Sequence, residues 1–95
     1  MKYRSRTDII SMILEAARSG STRTRIMYKA YLSYAQVLQY LKFLQEQDLV
    51  TYEKDKQLYR LTEKGLKYLD KSNKLNELMI IKNSDIFIVH WENSE

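Results

Sequence analysis

Between Leu32 and Val50 the chain reads LSYAQVLQYLKFLQEQDLV, and this stretch constrains the rest more than any other. Ser33 is suited to cap a helix, because its hydroxyl can accept from a free backbone N–H of the first turn. Val37, Leu38, Leu41 and Leu44 follow at helical spacing and predict one buried stripe. Tyr34, Gln36, Gln39, Tyr40 and Lys42 fall largely elsewhere on the cylinder, and no acid joins them until Glu46. A solvated helix face usually mixes both signs of charge. A face of tyrosine, glutamine and lysine has the donors and acceptors to meet base edges and phosphates in a major groove. An ordinary core helix with a polar back is the plainer alternative.

The segments before it read as two more helices. Met1 to Arg6 is a short basic arm with Lys2, Arg4 and Arg6, and Ser5-Arg6-Thr7-Asp8 has the pattern of a capping box. Ile9, Ile10, Ile13, Leu14 and Ala17 give the first helix a buried stripe, and Gly20 is placed to end it in a left-handed cap. Ser21 is the expected cap of a short second helix, from about Thr22 to Ala30, anchored by Ile26 and Met27. Arg23, Arg25 and Lys29 lie within two turns of it, and there is no acid between Glu15 and Glu46. Two helices joined at Ala30-Tyr31-Leu32, the second with a polar outer face, make a helix-turn-helix.

After Leu49 the apolar period changes from 3.6 to 2. Val50-Thr51-Tyr52-Glu53 and Leu58-Tyr59-Arg60-Leu61 alternate, and Lys54-Asp55-Lys56-Gln57 between them is a polar turn. A hairpin in this place is a wing, whose tip lysines Lys54 and Lys56 either reach a phosphate backbone or keep an exposed edge soluble. Thr62 caps a last helix from Glu63 to about Lys82, with apolar positions at Leu66, Leu69, Leu75, Leu78 and Met79. That is more apolar surface than one small core covers, so a two-fold partner is expected to bury it. Asn83-Ser84-Asp85 is a turn signal, and Ile86 to Trp91 reads as a strand, with Ile86, Ile88 and Trp91 joining the subunit interface.

The expected fold is mainly α with a small β-hairpin (α+β): a winged helix-turn-helix with a long C-terminal dimerisation helix. Residues 1–62 form the winged helix-turn-helix unit, and residues 63–95 the dimerisation helix and strand-like tail of the same structural unit. Ninety-five residues make one domain, which buries only about 60–65% of its unfolded surface and gains from dimerising. The chain has no proline, which suits helices, and no cysteine, which removes disulfides and thiolate metal sites. No apolar run approaches the roughly 20 residues that span a membrane, and no signal-peptide core follows the basic N-terminus. A cytoplasmic, nucleoid-associated protein is expected.

Charge is unevenly placed. Residues 1–42 carry eight Lys/Arg against two acids, net +6, whereas residues 43–95 carry eight against ten, net −2. One half is therefore suited to a polyanion and the other to a different partner. No enzyme is expected. His90 is the single histidine, the two glycines stand 45 positions apart so that no phosphate-binding loop exists, and the carboxylates lie mostly beside lysines. Neither a cofactor, a metal nor a small-molecule ligand is indicated.

With these elements in order, the sequence resembles the archaeal 10a family of small winged-helix DNA-binding proteins, first known as chromatin proteins of Sulfolobus. The resemblance is carried by Ile9-Ile10, Ile13-Leu14-Glu15-Ala16, Ser19-Gly20-Ser21, Thr24-Arg25-Ile26-Met27-Tyr28, Leu32-Ser33-Tyr34-Ala35, Tyr40, Leu44 and Leu61-Thr62-x-Lys64-Gly65, over roughly residues 5–72. It implies a homodimer on double-stranded DNA, with the third helix in the major groove and the last helices paired antiparallel. The chain departs from the family at its end, where NSDIFIVHWE stands and the family's helix continues.

The sites expected to touch DNA are Arg23, Arg25, Lys29, Ser33, Tyr34, Gln36, Gln39, Tyr40, Lys42, Lys54 and Lys56. The role is that of a transcriptional regulator or a chromatin-architectural protein. The main alternative is a winged-helix module that binds protein and never reads DNA. RNA is disfavoured, because a wing and recognition helix suit the wide groove of B-DNA.

Overall fold

The computed structural model describes residues 4–94, with side chains for residues 4–78. Helix α1 (Arg6–Ala17) opens with the expected capping box. The Asp8 N–H donates to Ser5 Oγ at 3.0 Å, and the Ser5 N–H donates to Asp8 Oδ2 at 3.1 Å. Two of the free donors of the first turn are thereby satisfied. α1 is followed by a turn at Gly20, whose φ of +95° suits a residue without Cβ. The Arg60 guanidinium packs where that Cβ would stand.

Helix α2 (Arg23–Lys29) is capped by Thr22, whose Oγ1 accepts from the Arg25 N–H at 3.2 Å. The expectation that Ser21 caps it is corrected. Ser21 is buried and extended, and it exchanges both backbone hydrogen bonds with Tyr59, at 2.9 and 2.7 Å. A residue committed to a strand-like pair is not free to cap, so the cap moves one position on. Tyr31 takes a left-handed φ of 55° in the turn that leads to α3 (Tyr34–Glu46).

Strands β1 (Val50–Glu53) and β2 (Leu58–Leu61) pair antiparallel in the register Val50↔Leu61, Thr51↔Arg60, Tyr52↔Tyr59 and Glu53↔Leu58. Both strands have the bounds that the period-2 alternation indicates. The facing Tyr52 and Tyr59 rings stand 4.7 Å apart between centroids, a cross-strand aromatic pair that supports the register.

The core lies where α1, α2, α3, the hairpin and the start of the last helix meet. It is built from Ile13, Leu14, Ala17, Ile26, Ala30, Leu32, Val37, Leu41, Leu44, Leu49, Val50 and Leu69. Leu38, expected in this stripe, is instead 37% exposed. It stands 100° round the helix from Val37, far enough to leave the buried side.

Helix α4 (Glu63–Ser94) begins against the end of α3. Thr62 Oγ1 accepts from the Gly65 N–H at 2.9 Å and donates to the Asp48 carbonyl at 2.6 Å, while Lys64 Nζ donates to the Gln47 carbonyl at 2.9 Å. Farther along, α4 rests on α1 through the hydroxyls of Ser72 and Ser11, 3.2 Å apart.

Two expectations for the C-terminus are corrected. The helix does not stop near Lys82 at a turn, and residues 86–91 do not form a strand: α4 runs unbroken for 32 residues, about 48 Å at 1.5 Å per residue. No proline or glycine follows Gly65. Asn83, Ser84 and Asp85 disfavour a helix by only about 0.7 kcal/mol or less each, which continued propagation outweighs. A lone strand would leave its backbone groups unpaired, whereas a helix satisfies its own. The second correction concerns Leu69, expected at a subunit interface, which is fully buried in the core of the single chain. Met79, Ile86, Ile88 and Trp91 lie outside the described side chains. Among the described residues no helix is long and apolar enough to cross a membrane.

Candidate nucleic-acid interface

The outward crest of α3 carries Ala35, Leu38, Gln39 and Lys42, all exposed, with Tyr34 at 58% exposure on its first turn. Val37, Leu41 and Leu44 bury the opposite side and fix the roll of the helix. Of the α3 residues expected at the interface, Tyr34, Gln39 and Lys42 therefore share one accessible surface. Ser33 and Gln36 are engaged with each other. The Gln36 N–H donates to Ser33 Oγ at 3.1 Å, and the Ser33 N–H donates to Gln36 Oε1 at 2.9 Å. Gln36 keeps its amide N–H groups and one lone pair of Oε1 for an external partner, from a side chain held against Ser33. Tyr40 is half-buried, with the Arg6 guanidinium 5.9 Å from its ring centroid.

α2 and the wing flank this crest. The Arg23 guanidinium lies 5.6 Å from the Tyr34 ring centroid, a cation–π contact that orients the cation without neutralising it. Thr22, Arg23 and Thr24 of α2 face Tyr52, Gln57 and Tyr59 of the hairpin across a hollow of about 360 Å³. Burial raises the Tyr59 phenol above its ordinary pKa, so the phenol stays protonated and can donate. Arg25 is exposed on α2, and Lys54 and Lys56 are exposed at the hairpin tip. Lys29 stands apart. It borders a second hollow, of about 370 Å³, with Ser11, Met12, Glu15, Ala16 and Asn73 of α1 and α4.

The ion pairs among the described residues are Arg18–Glu15, Arg60–Glu53 and Lys74–Asp70. None uses Arg23, Arg25, Lys42, Lys54 or Lys56, so these cations are available to an anion. The Arg60–Glu53 pair stiffens the wing. Arg60 Nε and Nη2 donate to the two Glu53 oxygens at 3.0 and 3.2 Å, and Nη1 donates to the Ser19 carbonyl at 3.2 Å. The hydrogen bonds from Arg60 hold the Glu53 carboxyl below the usual carboxylate range, and Arg60 is raised in turn. Among the described residues no cluster of three His, Cys, Asp or Glu side chains could hold a metal ion.

Sequence reasoning missed Ala35 and Leu38 on the crest. Counting 100° per residue from Val37 would have found both. It also read Arg4 and Arg6 only as a basic arm. Arg4 in fact donates to the Ala30 and Tyr31 carbonyls, from the two ends of one guanidinium, and so holds the turn before α3.

A three-helix core, a helix-turn-helix and a hairpin wing define the class, and the winged helix-turn-helix family model matches residues 3–80. The chain belongs to that family. Its fold is similar to that of Sso10a-2, a DNA-binding protein from Sulfolobus solfataricus, with a TM-score of 0.70 at 21% identity over 90% of this chain and 96% of that one. The likeness to the archaeal 10a proteins thus extends from the sequence to the fold. ZitR of Lactococcus lactis in complex with DNA is similar at a TM-score of 0.67 and 23% identity, over 90% of this chain and 62% of that one. A structure of wild-type ZitR gives 0.65 and 26%, over 90% and 63%. No curated protein matches the chain.

Proposed function

We propose that this chain binds double-stranded DNA as a homodimer and serves as a transcriptional regulator or chromatin-architectural protein of the nucleoid. The observation that carries the reading is the α3 crest. It presents Gln39 and Lys42 outward, with Arg23 of α2 beside it over Tyr34 and free of any ion pair among the described residues. Sso10a-2 and ZitR, similar in fold, are described as a DNA-binding protein and as a complex with DNA. In this reading Gln39 meets base edges, Ala35 and Leu38 offer apolar contact to thymine methyl groups, and Arg23, Arg25, Lys42, Lys54 and Lys56 hold phosphates. Residues 1–62 carry the DNA contacts and residues 63–95 the pairing of subunits.

Dimerisation is supported by α4. Leu66, Leu75 and Leu78 are 44%, 57% and 60% exposed on a helix that extends past its own core. Leu75 also borders an apolar hollow of about 390 Å³ with Thr7, Tyr68, Lys71, Ser72 and Asn76. A matching helix from a second copy would cover this stripe. The test is duplex binding over a salt series. A dimer that neutralises about 6–10 phosphates should lose roughly 10³–10⁵ in affinity between 50 and 200 mM salt. A flat salt dependence would refute the DNA reading and leave the protein-binding alternative.

A further inference from the structure

α3 carries two arginine–aromatic stacks, one on each flank. Arg23 lies over Tyr34, and Arg6, the first residue of α1, lies 5.9 Å from the Tyr40 ring centroid and 5.6 Å from that of Phe43. Tyr34 and Phe43 are nine residues apart, which at 100° per residue is about 180° round the helix. Ala35, Leu38, Gln39 and Lys42 fall within the half-circle between them, so the exposed crest runs between the two guanidinium groups. Along the axis the two stacks are about 9–14 Å apart, from 1.5 Å per residue, and they stand on opposite sides of a helix about 10–12 Å across, which a B-DNA major groove roughly 12 Å wide admits with one strand on each side.

We propose that Arg6 is a second phosphate clamp, opposite Arg23, and that the two arginines grip the two strands bordering the groove entered by α3. This rests on the DNA-binding reading above and deepens it. Three features of Arg6 fit the role. It is exposed, and it belongs to none of the ion pairs among the described residues. It borders a hollow of about 230 Å³ whose other walls, Gln39, Tyr40 and Phe43, include no acid. The two rings restrict the guanidinium while leaving its edge N–H groups free to donate, which lowers the ordering cost of a bidentate phosphate contact. Gln39 lines the same hollow, so the phosphate held by Arg6 flanks the bases that Gln39 meets. The half-burial of Tyr40 follows from the same arrangement: it supports Arg6 and does not itself reach into the groove.

The experiment uses the full chain and one duplex carrying single neutral methylphosphonate linkages, moved along each strand in turn. For wild type, binding should weaken in each half-site at two clusters of positions facing each other across the major groove, one per strand, in addition to any set by the other cations. Arg6→Ala should abolish the sensitivity at one of these two clusters in each half-site and retain it at the other, and should lower the slope of log affinity against log salt by about 0.9 per subunit. Between 50 and 200 mM salt that corresponds to about a three- to fourfold smaller loss of affinity per subunit. Arg6→Lys, which keeps the charge, should retain most of the slope. The interference pattern of wild type needs no variant, so the clamp stays open to refutation even if Arg6→Ala misfolds. A sensitive cluster on one strand only in each half-site, or an Arg6→Ala pattern identical to wild type, overturns the clamp while the DNA reading stands. A wild type whose duplex affinity is independent of salt overturns both.

Discussion

Gly65→Ala sets helix propensity against packing, and the two predict opposite signs. Glycine inside a helix is less stable than alanine by roughly 0.5–1 kcal/mol, so propensity alone predicts a gain. A Cβ at residue 65 would stand 2.0 Å from the Leu49 carbonyl oxygen, 3.0 Å from its carbon and 3.3 Å from Leu61 Cδ2. The oxygen cannot give way easily. Leu49 is buried, its N–H is bound to the Leu44 carbonyl at 2.8 Å, and its carbonyl accepts from the Thr62 N–H at 3.1 Å. The start of α4 must therefore retreat by about 1 Å or more. That loosens the bonds from Thr62 N–H to Leu49, from Gly65 N–H to Thr62 and from Lys64 to Gln47, each contributing about 0.5–1.5 kcal/mol. Strained packing of the fully buried Leu69 adds about 1–3 kcal/mol. After subtracting the propensity gain, the net loss is about 1.5–7 kcal/mol, depending on how far the three bonds loosen, and the melting temperature falls by roughly 4–8 °C for each kcal/mol in a domain of this size. Far-UV circular dichroism melts of both proteins, at one matched concentration so that the proposed pairing of subunits weighs equally in each, measure it. An unchanged or higher melting temperature would refute the close-approach argument.

Three further outcomes are expected. Gln39→Ala should change the ranking of DNA sequences, whereas Lys56→Ala should weaken all duplexes about equally and reduce the salt slope by about one per subunit; uniform loss in both would make binding architectural. Glu53 has a lowered pKa, so its contribution to the wing is complete above the unfolded carboxylate value of about 4.3 and disappears as pH falls through the folded value. Melts of wild type and Glu53→Gln should therefore differ near neutrality and converge in acid, and a difference independent of pH would remove the Arg60 pair as its cause. Leu75→Ser and Leu78→Ser, both exposed on the protomer, should leave its fold intact and shift sedimentation towards monomer on dilution; dimers of unchanged stability would move the subunit interface away from this stripe.

Short-range chemistry is what the sequence alone determined. The Ser5–Asp8 box, the Thr62 cap and the two hairpin strands between Val50 and Leu61 depend on residues within a dozen positions of one another. The alternation and the caps that signal them are local, so each was legible without a partner. Tertiary structure decided the cases where one residue had two acceptable uses. Ser21 could cap or pair, and Tyr59, far along the chain, made it pair. Leu69 could face a mate or the core, and the seat of Gly65 on Leu49 brought it inward. Gln36 could read a base or close a box, and the Ser33 N–H was nearer. Residues 86–91 have strand-like side chains, yet a strand needs a neighbour while a helix supplies its own hydrogen bonds. Arg6 gave no local sign of its place, because the rings that hold it belong to a helix more than thirty residues away and meet it only when α1 packs beside α3.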